Sequence, residues 1–282
     1  MDEPMLGRTL SHQLKRGKLR WIGKPLYEGL IAAELGVLRF FERRIAAFDA
    51  PLVDAKLTAI IKTFERPETV ARLLESLRRY YPEMSVIVVD DSAEPIERSG
   101  VQNIHLPYDS GVSAGRQVAL DAVETPYVLL LDDDFVFYAE TKLEEALKQM
   151  ENEPRIDLMG GEVVNLPSFK SADYTDAKLW PTEASPILPK GSEVAGMKVL
   201  DKVPNFYIAR TERLRRVGWD PRIKRIDHAD FFTRAKGVLV TVFNPTFKIL
   251  HAQTPFNDRY LQKRYDVAQD RAILYKRYGY AS

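Results

Sequence analysis

The 282-residue sequence contains no cysteine, which excludes disulfides and thiolate metal sites and restricts any metal to oxygen or histidine nitrogen donors. It also lacks a charge-free apolar run long enough to span a bilayer, and its N-terminus has no apolar h-region, so a soluble, cytoplasmic protein without a signal peptide is expected. Net charge is nearly absent as well: 41 Lys and Arg against 40 Asp and Glu leave +1. That balance gives no global pull toward nucleic acid, so none is expected as a partner and basic segments must be judged locally. Neither internal repeats nor low-complexity tracts occur. What is present is ordinary globular composition, 45% apolar and 29% charged, enough for one large core or a core with a smaller appendage.

One stretch stands out. Tyr127 to Tyr138 reads Tyr-Val-Leu-Leu-Leu-Asp-Asp-Asp-Phe-Val-Phe-Tyr, an apolar run of β-formers that predicts a strand buried on both faces and ending in three carboxylates. Like charges this close repel, so Asp132, Asp133 and Asp134 suit a site that holds a cation, with an oxygen-ligated divalent metal as the candidate. The alternative is three aspartates that only end a strand and start a loop.

Upstream, Leu57 to Lys62 predicts a strand, Pro67 opens a helix to about Tyr80, and Ser85 to Val89 predicts a strand ending in Asp90 and Asp91. Asn103 to Leu106, then a loop and helix over Gly111 to Val123, lead into the Tyr127 strand. Alternation of this kind implies an α/β fold with a mostly parallel, Rossmann-like sheet flanked by helices, whose ligands gather beyond the carboxyl ends of the strands. Downstream, Thr141 to Met150 reads as helix and Ile156 to Leu166 as a strand whose Gly160-Gly161 would let backbone approach a ligand. Residues 167–198 read as a long loop or lid. Val199 to Arg210 is expected as a strand, Thr211 as the cap of a short helix to Val217, Asp227 to Phe232 as the start of a helix, and 238–243 and 246–250 as two strands.

Both ends are basic and amphipathic. Arg8, Lys15, Arg16, Lys18, Arg20 and Lys24 precede a predicted helix over Tyr27 to Phe48, with Leu30, Ile31, Leu35, Leu38, Phe41 and Ile45 at helical spacing and a break at Asp49-Ala-Pro51. Arg259 to Tyr280 predicts a basic, tyrosine-rich helix. Three readings are open for such segments: packing on their own domain, peripheral contact with an anionic membrane at its inner face, or a homo-oligomer contact.

Thr63-Phe64-Glu65-Arg66-Pro67, Val88-Val89-Asp90-Asp91-Ser92, Gly111-Val112-Ser113-Ala114-Gly115-Arg116 and Leu131 to Phe137 resemble the nucleotide-sugar half of an inverting GT-A glycosyltransferase of the family 2 or family 12 type. Val203 to Arg210, Val217 to Arg222 and His228-Ala229-Asp230-Phe231-Phe232 are similar to segments of the ganglioside β1,4-N-acetylgalactosaminyltransferases. The likeness runs in consistent order over roughly residues 57 to 252 and leaves out both termini and the 167–198 loop. Each motif alone is weak; their ordered combination is strong.

The resemblance implies a GT-A fold with helical N- and C-terminal extensions. Its expected layout is a basic helical extension over 1–55, a catalytic domain over 56–255 with a nucleotide-binding half (56–138) and an acceptor half (139–255), and a basic helix over 256–282. It implies a UDP-sugar donor, a saccharide or glycoconjugate acceptor, and Mn2+ or Mg2+. Asp134 and His251 would hold the metal, with Asp132 meeting it directly, through water, or at the ribose. Thr63, Arg66, Asp90, Asp91, Gly111, Arg116, Asp133, Gly161 and Trp219 make up the expected nucleotide-sugar contacts. Asp230 would be the base, although the ganglioside enzymes carry glutamate there, with Asp227 as fallback and His228 orienting the loop or the acceptor. The alternatives are a nucleotide-sugar-binding scaffold without turnover and, without a Gly-rich, Lys-containing phosphate loop to support it, a nucleotidyltransferase.

Overall fold

In the computed structural model, residues 20–42 and 50–280 are described. Arg8, Lys15, Arg16 and Lys18, the Phe41 side chain, and the expected helix end over Ile45 to Phe48 with its break at Asp49 lie outside the described residues.

The strands are Leu57–Thr63 (β1), Ser85–Asp90 (β2), Gln102–His105 (β3), Tyr127–Asp132 (β4), Phe135–Val136 (β5), Leu158–Asn165 (β6), Lys170–Ser171 (β7), Glu193–Val194 (β8), Met197–Val199 (β9), Tyr207–Arg210 (β10) and Thr241–His251 (β11). They form one sheet in the order β3-β2-β1-β4-β10-β6-β11-β9-β8, with β5 on β11 and β7 on β6. Strands β3, β2, β1, β4, β6 and β11 share one direction, and β10 runs against its neighbours β4 and β6. Helices are Arg20–Glu42 (α1), Pro51–Lys56 (α2), Pro67–Tyr80 (α3), Val112–Asp121 (α4), Leu143–Asn152 (α5), Thr211–Arg215 (α6), Asp227–Ala235 (α7), Asp258–Arg264 (α8) and Ala268–Tyr278 (α9). This is the GT-A arrangement.

The continuous apolar strands follow from burial of both sheet faces. Ala59, Ile61, Val86, Val88, Leu129 and Leu131 enter one core, while Ile60, Ile87, Val89, Val128 and Leu130 enter the other, alternating along each strand. Each buried leucine of β4 contributes roughly 1.5–3 kcal/mol relative to exposure, so a polar residue at Leu130 would break the centre of the sheet. Helix α3 closes the first core with Val70, Leu73 and Leu77 at i, i+3 and i+7, and Pro67 at its start supplies a preset helical φ.

Several expected elements differ. The single strand over Val199 to Arg210 is two: β9 lies toward the far edge on β11, and β10 inserts between β4 and β6. Between them Pro204 lacks a ladder donor, and Val203 packs where a Cβ on Gly160 would come within 2.4 Å. The two strands over 238–250 are the single β11, whose register against β6 shifts between Asn244 and Lys248. Pro245 sits in that bulge, and Asn244 Oδ1 accepts from Thr246 N at 3.0 Å. Thr211 does not cap α6; it is the first helical residue, and its hydroxyl donates to Thr125 O at 2.8 Å. The 167–198 loop carries β7 and β8, and β8 turns into β9 through Ala195 and Gly196, both at positive φ as a two-residue hairpin requires. The C-terminal helix is broken into α8 and α9 at 265–267.

Candidate active site

Parallel pairing sets the carboxyl ends of β1, β2 and β4 level: Thr63 pairs with Asp90, and Lys62 with Asp132. Beyond β4 the chain turns through Asp133 and Asp134 into β5, which pairs antiparallel with the end of β11, Phe135 opposite His251. This short pairing brings together residues 117 positions apart in sequence (251 minus 134). Asp134 Oδ1 lies 3.2 Å from His251 Nε2. On the other side of the same carboxylate, Oδ2 accepts from Arg66 Nη1 at 2.8 Å.

Arg66 is the hub of this corner. Its guanidinium also binds Asp133 through Nε at 3.2 Å and through Nη2, donates to Thr254 Oγ1 at 3.2 Å, and lies 3.7 Å over the Tyr260 ring. Thr63 Oγ1 donates to Asp133 Oδ2 at 2.7 Å. Burial pushes the Asp133 carboxyl up, against the pull of Arg66. Burial also opposes ionisation of Asp134, but there Arg66 and His251 prevail and hold its carboxyl well below the usual range. For His251 burial works against the charged form, and the facing Asp134 carboxylate outweighs it and raises the imidazole.

A second arginine serves the opposite wall. Arg116, on α4, donates to Asp132 Oδ1 at 2.6 Å and to Asp227 Oδ2 at 2.8 Å. Asp227 opens α7, and burial raises its carboxyl while Arg116 pulls it back. Between the two arginines opens a cavity of about 740 Å³, of the size that takes a nucleotide-sized ligand. Asp132, Asp133, Asp134, Asp227 and His251 line it together with Lys62, Lys224, Arg225, Lys263 and Arg264. Basic groups therefore outnumber acidic ones, which suits an anionic ligand.

Of the expected residues, Arg66, Arg116, Asp132, Asp133, Asp134 and His251 meet at this cavity. Thr63 supports it through Asp133. Asp91 supports it from behind, paired with Lys62 at 2.6 Å and accepting from Gly111 N at 2.8 Å. Gly111 has φ 101°, and a Cβ there would come within 2.7 Å of Lys224. Asp90 is turned away, toward Arg98 at 3.3 Å and Ser92 N at 3.0 Å.

The remaining expected residues lie off the cavity or face other partners. Asp230, expected as the base, is fully buried and does not line the cavity, its oxygens taken by Arg234 at 2.8 Å, Arg277 at 2.5 Å and the Tyr278 hydroxyl at 2.8 Å. His228 faces Val203 O at 2.8 Å between the Tyr174 and Phe232 rings. Trp219 is a core residue stacked on Phe231 with centroids 5.2 Å apart. Gly161 is needed for packing, since a Cβ would lie 2.5 Å from Phe247 O and 2.6 Å from the Phe206 ring. Asp132 is turned to Arg116 rather than to the Asp134–His251 pair, and no cluster of three or more His, Asp or Glu suited to a metal occurs among the described residues.

The Asp134–His251 pair itself fits a divalent cation. Asn165 Oδ1 can only accept, so its 2.8 Å contact with His251 Nδ1 puts a proton on Nδ1 and aims Nε2 at Asp134. A separation of 3.2 Å is close to the roughly 3 Å between neighbouring donor atoms on a small octahedral ion, whose other positions water and phosphate commonly fill.

Sequence reasoning missed Lys62, Phe64, Asn205, Lys224, Arg225 and the whole contribution of α8, read as part of a basic terminal helix outside the site and here lining the cavity with Tyr260, Lys263 and Arg264. Asn257, the cap of α8, donates to Glu65 O at 2.8 Å and ties the helix to the Thr63–Arg66 loop, where Glu65 has φ 53°. The available signal for Lys62 was a lysine ending an apolar strand.

Comparison with known proteins agrees with this geometry. The model of glycosyl transferase family 2 matches residues 58–214. Human beta-1,4 N-acetylgalactosaminyltransferase 1 is 38% identical over 200 residues, 66% of this chain and 37% of that protein. Mouse beta-1,4 N-acetylgalactosaminyltransferase 2 is 37% identical over 224 residues, 74% of this chain and 42% of that one. The chain thus spans about two-fifths of the length of these relatives. Among solved structures, S. aureus TarS 1-349 superposes with a TM-score of 0.55 at 18% identity, covering 70% of this chain and 60% of that one. The same TarS fragment in complex with UDP-GlcNAc gives 0.54, covering 72% and 60%. These likenesses show the fold.

Proposed function

Because the chain belongs to glycosyl transferase family 2, we propose that it is a metal-dependent, inverting transferase that moves a sugar from a UDP-sugar to a hydroxyl of a saccharide or glycoconjugate acceptor. N-acetylgalactosamine, N-acetylglucosamine and galactose are the candidate sugars, the first from the names of the relatives and the second from the UDP-GlcNAc complex of TarS. The observation that carries the reading is the meeting of Asp134 and His251 at 3.2 Å beneath a basic cavity.

In this reading Lys62, Arg116, Lys224 and Arg225 hold the diphosphate, and Arg66 keeps Asp133 and Asp134 in place. Asp134 and His251 would hold Mn2+ or Mg2+, which neutralises charge developing on the departing UDP. Asp227, which of the two α7 carboxylates is the one that lines the cavity, is the base. As the acceptor oxygen bonds to the anomeric carbon, the bond from that carbon to the phosphate oxygen breaks, UDP leaves with the electron pair, and the acceptor proton passes to Asp227. Arg116 holds Asp227 Oδ2 and fixes the carboxylate in position. UDP release across a panel of UDP-sugars, with and without EDTA, tests the proposal. Turnover that ignores EDTA would reject the metal, and UDP binding without turnover on any donor or acceptor would favour the scaffold reading.

A further inference from the structure

Most polar side chains that line the cavity are already engaged by the protein. The four aspartates are held by Arg66 and Arg116, Thr254 accepts from Arg66, Gln253 reaches Asn165, and Arg264 donates to the Tyr260 hydroxyl. Asn205 lines the same cavity, and its side chain has no partner among the described residues. Its amide N–H groups and its carbonyl oxygen are therefore unused by the protein, and neither is buried as an orphan.

While the side chain is free, the backbone on either side of it is fixed. Val203 O accepts from His228 Nε2 at 2.8 Å, the Val203 side chain fills the space over Gly160, and Phe206 O accepts from Gly161 N at 2.9 Å. Val203 and Tyr207 enter the core that holds Leu130, and Phe206 enters the other, so alternation sets Asn205 on the side of Val203 and Tyr207. Tyr207 pairs antiparallel with Leu130, and two residues farther toward the site on each strand bring Asn205 level with Asp132. Arg116 joins Asp132 to Asp227, so this is the side of the cavity that carries the base.

A carboxamide held in this way recognises a neutral group that both donates and accepts, whereas the charged groups around it suit phosphate and metal. The anomeric carbon of a bound sugar has to lie within reach of the acceptor oxygen that Asp227 deprotonates, and the ring carbon bonded to it, C2, carries the substituent closest to this wall. An acetamido group at C2 presents one N–H and one C=O, the complement of a carboxamide; a hydroxyl at C2 presents a single atom. We propose that Asn205 reads the 2-acetamido group of the donor and so selects UDP-N-acetylhexosamines over the corresponding UDP-hexoses. The assignment rests on the UDP-sugar reading of the cavity and deepens it. A fixed hydrogen-bonding group discriminates well here, because an analogue without the matching group leaves it unpaired.

Calorimetric titration of the full chain in Mn2+ with UDP and with two matched donor pairs, UDP-N-acetylgalactosamine with UDP-galactose and UDP-N-acetylglucosamine with UDP-glucose, tests the assignment. Within each pair the sugars differ at C2 alone. The wild-type protein should favour the acetamido member of at least one pair by about tenfold or more. Asn205→Leu, which nearly keeps the shape without the polar atoms, and Asn205→Ala should each lower that ratio by about fivefold or more, the size of two neutral hydrogen bonds, with UDP itself bound as in wild type. No wild-type preference at C2, a ratio that survives in both variants, or an equal loss of UDP affinity in the variants overturns the assignment. Failure of the wild-type protein to bind UDP is a separate result: it rejects the reading of the cavity, and Asn205 with it, whereas UDP bound without preference at C2 rejects the role of Asn205 alone.

Discussion

Replacing Arg66 with methionine removes one cation from between two buried carboxylates, and the structure sets the size of the effect. The Arg66 side chain is 7% exposed, and Asp133 and Asp134 opposite it are 1% and 7% exposed. A surface ion pair contributes less than about 1 kcal/mol, but leaving buried charges without their partner costs about 3–5 kcal/mol. Methionine roughly keeps the volume against Tyr260, so the loss is mainly electrostatic. The expected result is a fall of about 3–5 kcal/mol in urea unfolding free energy, and of roughly 10 °C in melting temperature. Adding Asp133→Asn, which keeps the shape and the Thr63 contact while removing one orphaned charge, should recover part of that loss, an interaction energy visible in the double-mutant cycle. A loss below about 1 kcal/mol, or strictly additive effects, would refute the account of Arg66 as the cation that allows two aspartates to be buried here.

Mn2+ or Mg2+ should raise the wild-type melting temperature, by the equivalent of about 2.7 kcal/mol at a hundredfold excess over Kd, and His251→Ala should abolish the shift; an unchanged shift in that variant rejects the assigned pair. Asp227→Asn should keep UDP binding by calorimetry and reduce transfer by about 10²–10⁴, whereas Asp230→Asn should mainly lower stability, by about 3 kcal/mol, because three donors lose a charged partner. Transfer that survives in Asp227→Asn places the base elsewhere. The imidazole of His228 is pulled down to about 3, by burial first, with nearby Lys202 adding to it. Its folded value lies below the unfolded 6.5, so the unfolded chain takes the proton first and stability falls as pH drops from about 6.5 toward 3. Between pH 7 and pH 5 this amounts to at most about 2 kcal/mol, measured as the difference in urea unfolding between wild type and His228→Gln; equal slopes would refute it.

The parallel half of the sheet was legible because both of its faces are buried, which writes β1, β2 and β4 as unbroken apolar runs. Strand β5 left no such trace: two residues carry no period, yet its pairing with β11 is what joins Asp134 to His251. Strand β10 merged with β9 in the sequence reading because seven intervening residues, 200–206, include apolar Leu200, Val203 and Phe206. The site shows the same division. Residues at strand ends follow from local pattern, but Lys224, Arg225 and Tyr260 reach the cavity through long-range closure, and nothing near them in sequence marks it. Asp227 and Asp230 lie three residues apart in the first turn of α7, where the helix dipole favours either. Arg277 and Tyr278, more than forty residues farther along, enclose Asp230, whereas Asp227 lines the cavity.

That last dependence extends to the site as a whole. The carboxylate of Asp270, in the first turn of α9, accepts from the backbone N–H groups of Lys224, Arg225 and Ile226 at 2.9, 2.6 and 3.1 Å. A carboxylate with three backbone donors pins a segment without using its side chains, which leaves Lys224 and Arg225 to line the cavity and fixes where Asp227 starts α7. From the same tail, Arg277 and Tyr278 enclose Asp230 one turn farther along. Helix α8 lays Tyr260 under Arg66, and its cap, Asn257, holds the carbonyl of Glu65. Both walls of the cavity, the Arg66 corner and the Arg116–Asp227 side, therefore lean on residues 257–278, beyond the reach of the family model at 214. The strand ends supply the acidic floor, and the tail holds the cationic walls that let four aspartates face one cavity.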